Sequence, residues 1–500
     1  MCLQATVPNG TYRRFLRFRL RKIMAEEKLT PQKENFSEWY NQVVQRADLA
    51  DYSPVRGCMV VKPYGWALWE NIKADLDRRF KETGHVNAAF PMLIPMSFFE
   101  KEKDHVEGFS PELAVVTHGG GQELEEPLAV RPTSETIIGY MYAKWIKSWR
   151  DLPVKINQWG NVMRWEMRPR LFLRTAEFYW QEGHTAHATY EEAQEETLQM
   201  LNVYADFARN MAAMPVLKGV KSETEKFPGA VNTYSIEAMM GDTKALQAGT
   251  SHNLGQNFAK AFDIKYLSPN NTLEYCWTTS WGMSTRMIGG IIMTHGDDNG
   301  LVLPPRLAPY QIVIVPIFKN DAEKAVVMEC VEKVMAQLKE FRIKLDDRTE
   351  LTPGFKYHEW ELRGVPLRLE IGPKDVEKNS VMAARRDIPG KPGKSFLSQD
   401  NLADQVRDLL ETIQDGILAK AEKFRDDNIH EAKTYDELKG IVENGWAEAW
   451  WCGSAECEAK IKADTKATTR CMNFEHQHGH GKCVCCGADA EKRIYFSKAY

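Results

Sequence analysis

No run of apolar residues in this sequence approaches the ~20 needed to cross a bilayer. Nothing in it therefore reads as a transmembrane helix, and no secretory signal is visible. There is no internal repeat, so the chain is not a repeat array. No low-complexity segment stands out beyond a His-Gly run near residues 476–481. Strong basicity is also missing. The net charge is −4, whereas a compact nucleic-acid binder is often strongly basic, so any RNA contact has to use local patches. Cysteine is sparse over most of the chain: six of the ten lie after residue 450. That distribution argues against a disulfide framework and for a clustered metal site in an intracellular enzyme.

What is present is 500 residues of ordinary globular composition. At roughly 100–200 residues per domain this predicts about three domains. Arg13, Arg14, Arg17, Arg19, Arg21 and Lys22 form an acid-free basic stretch with interleaved aromatics. The stretch fits an upstream start ahead of Met24, a transit peptide or a basic arm. The expected boundaries are 1–23 for this extension, 24–303 for the first domain, 304–410 for the second and 411–500 for the third.

Helical periodicity predicts helices over 36–50, 65–82, 133–149 and from Tyr190 to about Met211. The stripe Trp66, Trp69, Ile72, Leu76 and Phe80 needs an apolar partner. Strand patterns cover Val86 to Ile94, 154–165, 176–186, 231–239 and 273–281. Strands flanked by helices in this way predict an antiparallel sheet in an α+β domain. After Leu303-Pro304-Pro305-Arg306 the pattern becomes alternating β and α, with strands at 311–318, 343–346 and 365–371 and a helix at 321–340. That describes a small α/β domain with partly parallel strands. A charged helix over 401–427 leads to the cysteine-rich tail.

Four segments carry chemistry. Arg164-Trp165-Glu166 and Arg174-Thr175-Ala176-Glu177-Phe178 flank a loop with Arg168 and Arg170. Two strands joined there present several guanidiniums to one place, and arginine's fork suits phosphate. An exposed basic hairpin with one core aromatic explains the same spacing. Ser280 to Arg286, followed by Gly289-Gly290, offers close backbone approach and an arginine one helical turn on. Arg131-Pro132-Thr133-Ser134-Glu135 places a hydroxyl and a carboxylate where they can hold an ammonium group, or cap a helix. Gln247 to Asn257 is a polar, glycine-containing segment flanked by apolar ones, and a lone histidine such as its His252 is more often a hydrogen-bonded structural residue than a catalytic one.

Taken together, these segments resemble the class II aminoacyl-tRNA synthetases, and within them the prolyl-tRNA synthetases of the archaeal and eukaryotic-like type. The resemblance runs from about residue 30 to the last residue. Gly84 to Pro95 looks like motif 1, with Pro91 its characteristic proline. Arg164 to Glu166 with Arg174 to Phe178 looks like motif 2, and Gly282 to Arg286 looks like motif 3. The Thr-Ser-Glu at 133–135 and Thr-Ser-His at 250–252 are more specific than the class motifs. Ala176 departs from the pattern, since relatives often carry arginine there.

The resemblance implies a ligase that joins L-proline to tRNA(Pro) at the expense of ATP, with magnesium, as a homodimer paired through motif 1. Arg164, Arg286 and Glu135 are the residues it marks as catalytic. Thr133, Glu135, Arg164, Trp180, His184 and His252 would hold proline. Arg164, Glu166, Arg174, Phe178, Gln247, Thr250, Ser284 and Arg286 would hold ATP. Glu361, Arg368, Lys374 and Asp375 would face the anticodon, in a domain resembling the class IIa anticodon-binding domain. A terminal tyrosine such as Tyr500 reaches toward the active site in some relatives. Only about 100 residues separate Phe178 from Gly282, too few for the editing insertion of bacterial-type relatives. A cytoplasmic location is expected.

In the tail, Cys452-x4-Cys457 and the Cys483 to Cys486 knuckle supply four thiolates suited to structural Zn²⁺. Cys485 is the alternative fourth ligand, and Cys471, His476, His478 and His480 compete for the site.

Overall fold

The two strands expected to carry the basic hairpin form as Val154–Met163 and Glu177–His187. They are antiparallel and registered from Val154 opposite Ala186 to Met163 opposite Glu177. This computed structural model describes residues 28–99, 113–474 and 479–500, so the basic stretch before Met24, His476 and His478 lie outside the described residues. The chain divides into two units: Ala50–Thr294 with Asp415–Tyr500, and residues 28–49 with His295–Gln414.

The first unit is built on an eight-stranded sheet. In chain order its strands are β1 (Val86–Asn87), β2 (Val154–Met163), β3 (Glu177–His187), β4 (Val216–Val220), β5 (Asn232–Met239), β6 (Ala245–Gly255), β7 (Trp277–Ser284) and β8 (Met472–Asn473). Across the sheet they run β8-β4-β5-β6-β7-β3-β2-β1. Every pairing is antiparallel except β1 with β2. The outermost strand on one side therefore comes from the far end of the chain.

Helix Tyr190–Asn210 covers one face, with Met200, Leu201, Tyr204 and Phe207 buried. Thr189 caps it by accepting the Glu192 amide, and Glu191 and Glu192 in the first turn suit the helix dipole. The helix expected near 65–82 forms as Pro63–Glu82 and finds its apolar partner on the same face. Phe80 packs on Trp281 at 5.0 Å between ring centroids, and Trp69 meets Trp159 edge-on at 5.9 Å. Gly183 makes this packing possible. A Cβ there would come within 2.0 Å of the Trp281 indole, so any side chain would push that ring out.

One local expectation is corrected. Val86 to Ile94 is not one strand: Val86–Asn87 joins the large sheet, while Leu93–Pro95 pairs with Gln122–Val130 in a separate three-stranded sheet. Pro91 between them lacks the N–H a continuous ladder requires. The polar segment Gln247 to Gly255, to which the sequence reading gave no secondary structure, forms most of β6, in the middle of the large sheet. Ser251 and Asn253 are accommodated there by hydrogen bonds: the Ser251 hydroxyl donates to Thr197 O at 2.7 Å, and Asn253 Nδ2 donates to Gln194 Oε1 at 3.0 Å.

Residues 415–500 add a four-stranded sheet ordered Ile429–Glu431, Trp446–Trp451, Lys492–Ser497 and Thr468–Thr469. Helices Tyr435–Asn444 and Ala455–Thr465 pack against it around Leu438, Val442, Ile461 and Phe496.

The second unit contains a five-stranded sheet ordered Ile343–Leu345, Ile312–Pro316, Leu367–Ile371, Ser380–Arg385 and Lys394–Ser398. The first three strands are parallel and the last two antiparallel. Helices Asp321–Gln337 and Leu402–Asp427 bury one face, around Ile312, Val331 and Val406. Among the described residues no helix is long and apolar enough to cross a membrane.

Candidate functional site

Strand alternation places Trp180, Glu182 and His184 on one face of β3. Thr250 and His252 of β6 and Ser280 and Gly282 of β7 share that face. With Thr133, Glu135, Arg164 and Gln247 they line a cavity of about 340 Å³. Beside it is a second cavity of about 150 Å³. Glu166, Arg174, Phe178, Ser284 and Arg286 line the second cavity, and Arg164 lines both. Every residue expected from the sequence to hold the amino acid or the nucleotide thus lines one of two neighbouring cavities.

The floor of the first cavity is a buried polar network. Thr133 Oγ1 donates to the Glu135 carboxylate. Glu182, almost wholly buried, accepts from the Ser134 hydroxyl at 2.5 Å, the Ser134 amide at 3.1 Å and Gln158 Nε2 at 2.8 Å. It also meets His184 Nε2 at 3.2 Å. Burial works against charge on His184, but the bond to Glu182 and the negative charge of Glu135 outweigh it and hold its pKa above the usual histidine value. His252 goes the other way: burial, aided by the charges of Arg164 and His184, pushes it down to about 3. It is neutral at physiological pH, with Nδ1 3.0 Å from Thr233 Oγ1. The cavity therefore pairs a carboxylate and hydroxyls with one imidazole that favours charge and one that avoids it. This donor–acceptor set suits a small zwitterion with a protonated nitrogen. The hydroxyl of Ser280 is buried and has no hydrogen-bond partner within the described residues.

The second cavity is cationic and aromatic. The Arg164 guanidinium lies 5.6 Å from the Phe178 ring centroid and 5.4 Å from that of Trp180, and its Nε donates to Pro132 O at 3.0 Å. Arg174 Nε pairs with Glu166 Oε2 at 2.8 Å. Arg286 Nε donates to Leu173 O at 3.1 Å. Burial and the nearby positive charges of Arg164 and Arg174 lower the Arg286 pKa to about 10, so it stays charged at neutral pH. Three guanidiniums around one aromatic-walled hollow suit a polyphosphate and a planar base.

Sequence reasoning missed Glu182, Thr233 and Phe227 as site residues. Alternation along β3 was the available signal for Glu182, since it stands two residues from both Trp180 and His184. Phe227 gave none. It lies on the connection between β4 and β5, and its ring packs 4.6 Å from that of His252.

Residues 115–295 match the tRNA synthetase class II core domain (G, H, P, S and T), 311–409 the anticodon binding domain, and 435–500 the prolyl-tRNA synthetase C-terminal domain. The chain is 59% identical over 480 residues to the proline–tRNA ligase of Roseiflexus sp. (strain RS-1), covering 95% of this chain and all of that one. The chain belongs to the prolyl-tRNA synthetase family. Another member, the chloroplastic/mitochondrial proline–tRNA ligase of Arabidopsis thaliana, is 52% identical over 503 residues, spanning 99% of this chain and 93% of that one. The crystal structure of prolyl-tRNA synthetase from Cryptosporidium parvum complexed with halofuginone and AMPPNP is 40% identical, with a TM-score of 0.89 over 95% of this chain and 97% of that one.

In the second unit, Arg368 is buried between carboxylates, donating to Glu361 Oε1 at 2.9 Å and to Glu370 Oε1 at 3.1 Å, and it lies 4.0 Å from the Tyr357 ring centroid. Asp375 accepts the Gly372 amide at 2.9 Å, and Lys374 is exposed. Of the four expected anticodon residues, Glu361 and Arg368 are joined by this ion pair, while Asp375 caps its own helix.

In the tail, the Sγ atoms of Cys452, Cys457, Cys483 and Cys486 all lie within 4.8 Å of one another. Cys452 is 3.8 Å from both Cys457 and Cys486. Tetrahedral zinc with Zn–S bonds of ~2.3 Å spaces its sulfurs about 3.8 Å apart, so the donor set fits that ion. Cys485 and Cys471 are not among the four, and Cys471 is fully buried elsewhere, against Met239 and Tyr495.

Tyr500 closes back onto the sheet. Its amide donates to Ala245 O at 3.1 Å, its hydroxyl bonds Asp242 at 2.7 Å, and Arg170 lies 5.4 Å from its ring centroid.

Proposed function

We propose that this chain activates L-proline with ATP to prolyl-adenylate and transfers it to tRNA(Pro), releasing pyrophosphate and AMP. The observation that carries the reading is the pair of adjoining cavities bridged by Arg164. Thr133 and Glu135 take the two protons of the proline nitrogen, and Trp180, His184 and His252 enclose the ring. Arg164, at the junction, holds the proline carboxylate against the α-phosphate. Glu166 reads the adenine amino group, Phe178 and Arg286 sandwich the base, and Arg174 meets the triphosphate. Gln247, Thr250 and Ser284 border the nucleotide, which enters as its magnesium complex.

The proline carboxylate attacks the α-phosphorus and pyrophosphate leaves, so no protein nucleophile is required. Catalysis is alignment of the reactants plus guanidinium stabilisation of the charge that develops on the phosphate oxygens. Glu361, Arg368, Lys374 and Asp375 read the guanines of the anticodon, for which arginine, lysine and carboxylate are suitable partners.

Three further parts belong to the same proposal. The four tail thiolates hold structural zinc. Two copies pair through the motif 1 segment, where Val86 and Met92 are exposed large apolar residues. The chain is of the archaeal and eukaryotic-like type and works in the cytoplasm without a cis-editing domain, because the residues between Phe178 and Gly282 build β4, β5 and β6 of the sheet itself. Since a missing methylene is discriminated by only about 1–3 kcal/mol, alanine is activated as well and is not removed in cis.

The test is amino-acid-dependent ATP–pyrophosphate exchange with the purified chain. Strong exchange with proline, weaker with alanine and cysteine and none with threonine or histidine, is the expected result. Exchange with none of them, from folded protein, would overturn the proposal in favour of a non-catalytic RNA-binding relative.

A further inference from the structure

The connection between β4 and β5 supplies Glu225, Lys226, Phe227 and Pro228 to the wall of the first cavity. Its second limb is tied to the sheet at the site itself: the Phe227 amide donates to Thr233 Oγ1 at 2.8 Å, and Thr233 in turn meets His252. Its first limb is tied elsewhere. Lys221 and Ser222, where the connection leaves β4, are both buried, and most of their side-chain partners come from residues 458–470.

Lys221 Nζ donates to Arg470 O at 2.9 Å and to Glu237 Oε1 at 2.9 Å. Arg470 completes that triad, donating to Glu237 Oε2 from Nη2 at 2.9 Å and from Nε at 3.2 Å. Ser222 Oγ donates to Glu458 Oε1 at 3.0 Å and lies 3.1 Å from Thr469 Oγ1, and the Thr469 hydroxyl also donates to Glu458. Lys221, Ser222, Glu237, Glu458, Thr469 and Arg470 are each at most 6% exposed. The backbone is fixed in the same place: β8 pairs with Val220 and Gly219, and a Cβ on Gly219 would come 2.2 Å from Met472 O.

These contacts cost a good deal to assemble. Two cations and two carboxylates are out of water, and such groups are retained only where their partners are closely placed. A loop that merely connected two strands would not need them. We infer that Glu458, Thr469 and Arg470 are positioning residues for the amino-acid pocket, holding Lys221 and Ser222 so that Phe227 and its neighbours stay against His252. The tail is then part of the amino-acid site without touching the amino acid. This rests on the proposed proline activation, and it assigns the tail a task in the first half-reaction.

The consequence is selective. Loosening the first limb weakens the wall around the amino acid while Glu166, Arg174, Phe178 and Arg286 around the nucleotide stay in place. The mild variants are Ser222→Ala and Thr469→Val, each removing one hydroxyl. Arg470→Met and Arg470→Lys form the second pair. In pyrophosphate exchange on the full chain, with active sites counted by burst titration, we expect the proline KM to rise about fivefold or more for Ser222→Ala and Thr469→Val, with the ATP KM unchanged. Arg470→Met should show a larger rise, partly rescued in Arg470→Lys. A merely structural role would lower the active fraction or the unfolding temperature and leave both KM values as they were. Unchanged proline KM in folded Ser222→Ala and Thr469→Val would overturn the inference, as would equal shifts in both substrates. Wild-type protein that shows no proline-dependent exchange would instead remove the function proposed above, so the two failures are distinguishable.

Discussion

Ser134 gives both its amide and its hydroxyl to the carboxylate of Glu182, at 3.1 Å and 2.5 Å. Through this pair the segment that carries Thr133 and Glu135 is fixed to strand β3, which carries Trp180 and His184. The two halves of the proposed proline site are therefore aligned by a residue that is already saturated with protein partners.

Removing that carboxylate should be costly. In Glu182→Ala, Ser134 and Gln158 lose a buried acceptor and His184 loses its anion. The expected loss of folding stability is on the order of 3–5 kcal/mol. Glu182→Gln keeps the shape and should lose less. Urea unfolding of both variants measures this, and a loss below about 1 kcal/mol for Glu182→Ala would mean the network is not structural.

Glu135 is expected to act on binding more than on folding. Glu135→Gln removes the negative charge opposite the protonated nitrogen but keeps an acceptor for Thr133. A charge-assisted hydrogen bond contributes about 1.5–3 kcal/mol, so kcat/KM for proline should fall roughly 10- to 150-fold with the ATP KM little changed. A parallel loss for ATP would place Glu135 outside the amino-acid site.

Stability should depend on pH in a stated direction. His252 is pushed down to about 3, mainly by burial, and His187 to about 4 for the same leading reason. Unfolded, both titrate near 6.5. Between those values the unfolded chain binds protons that the folded chain does not, so stability rises with pH across the window from about 3 to 6.5. His184, held above the usual value, contributes stability that is full below that value and fades as pH climbs through its raised one. The urea midpoint should fall on acidification from pH 6.5 to 5, and fall less in His252→Gln. Identical slopes for the two proteins would show that His252 is not the group responsible.

The thiol geometry distinguishes neighbouring cysteines. Purified protein should carry one zinc per chain by elemental analysis. Cys486→Ser should lose it and unfold at lower temperature, while Cys485→Ser should retain it. Metal retained in Cys486→Ser and lost in Cys485→Ser would reverse the choice of fourth ligand.

The sequence disclosed those parts of the molecule whose local pattern and chemistry agree. The basic hairpin was legible because apolar alternation on both sides of Arg168 and Arg170 requires two strands, and the guanidiniums then converge. Helix Tyr190–Asn210 was legible from its acidic first turn and its periodicity. Strand β6 was not, because Gln247, Thr250, Ser251, His252 and Asn253 look like loop until the neighbours that accept and donate their hydrogen bonds are known. Phe227 and Ser222 stayed hidden for a related reason. Their importance comes from contacts with His252 and Glu458, which are distant in the chain, and no local pattern records such a contact. The choice between Cys485 and Cys486 was likewise a matter of turn geometry rather than spacing.

Strand β8 is contributed by Met472–Asn473, yet it borders a sheet whose other seven strands are finished by Ser284. During synthesis on a ribosome, that edge stays open while nearly two hundred further residues are made. The wall of the amino-acid cavity receives the anchor of its first limb only once residues 458–470 have been made. A nascent chain stalled or truncated anywhere before Glu458 carries every arginine of the nucleotide site and none of the contacts that the tail makes to Lys221 and Ser222. On the inference drawn above, the full grip on the amino acid is gained only after residues 458–470 have been made.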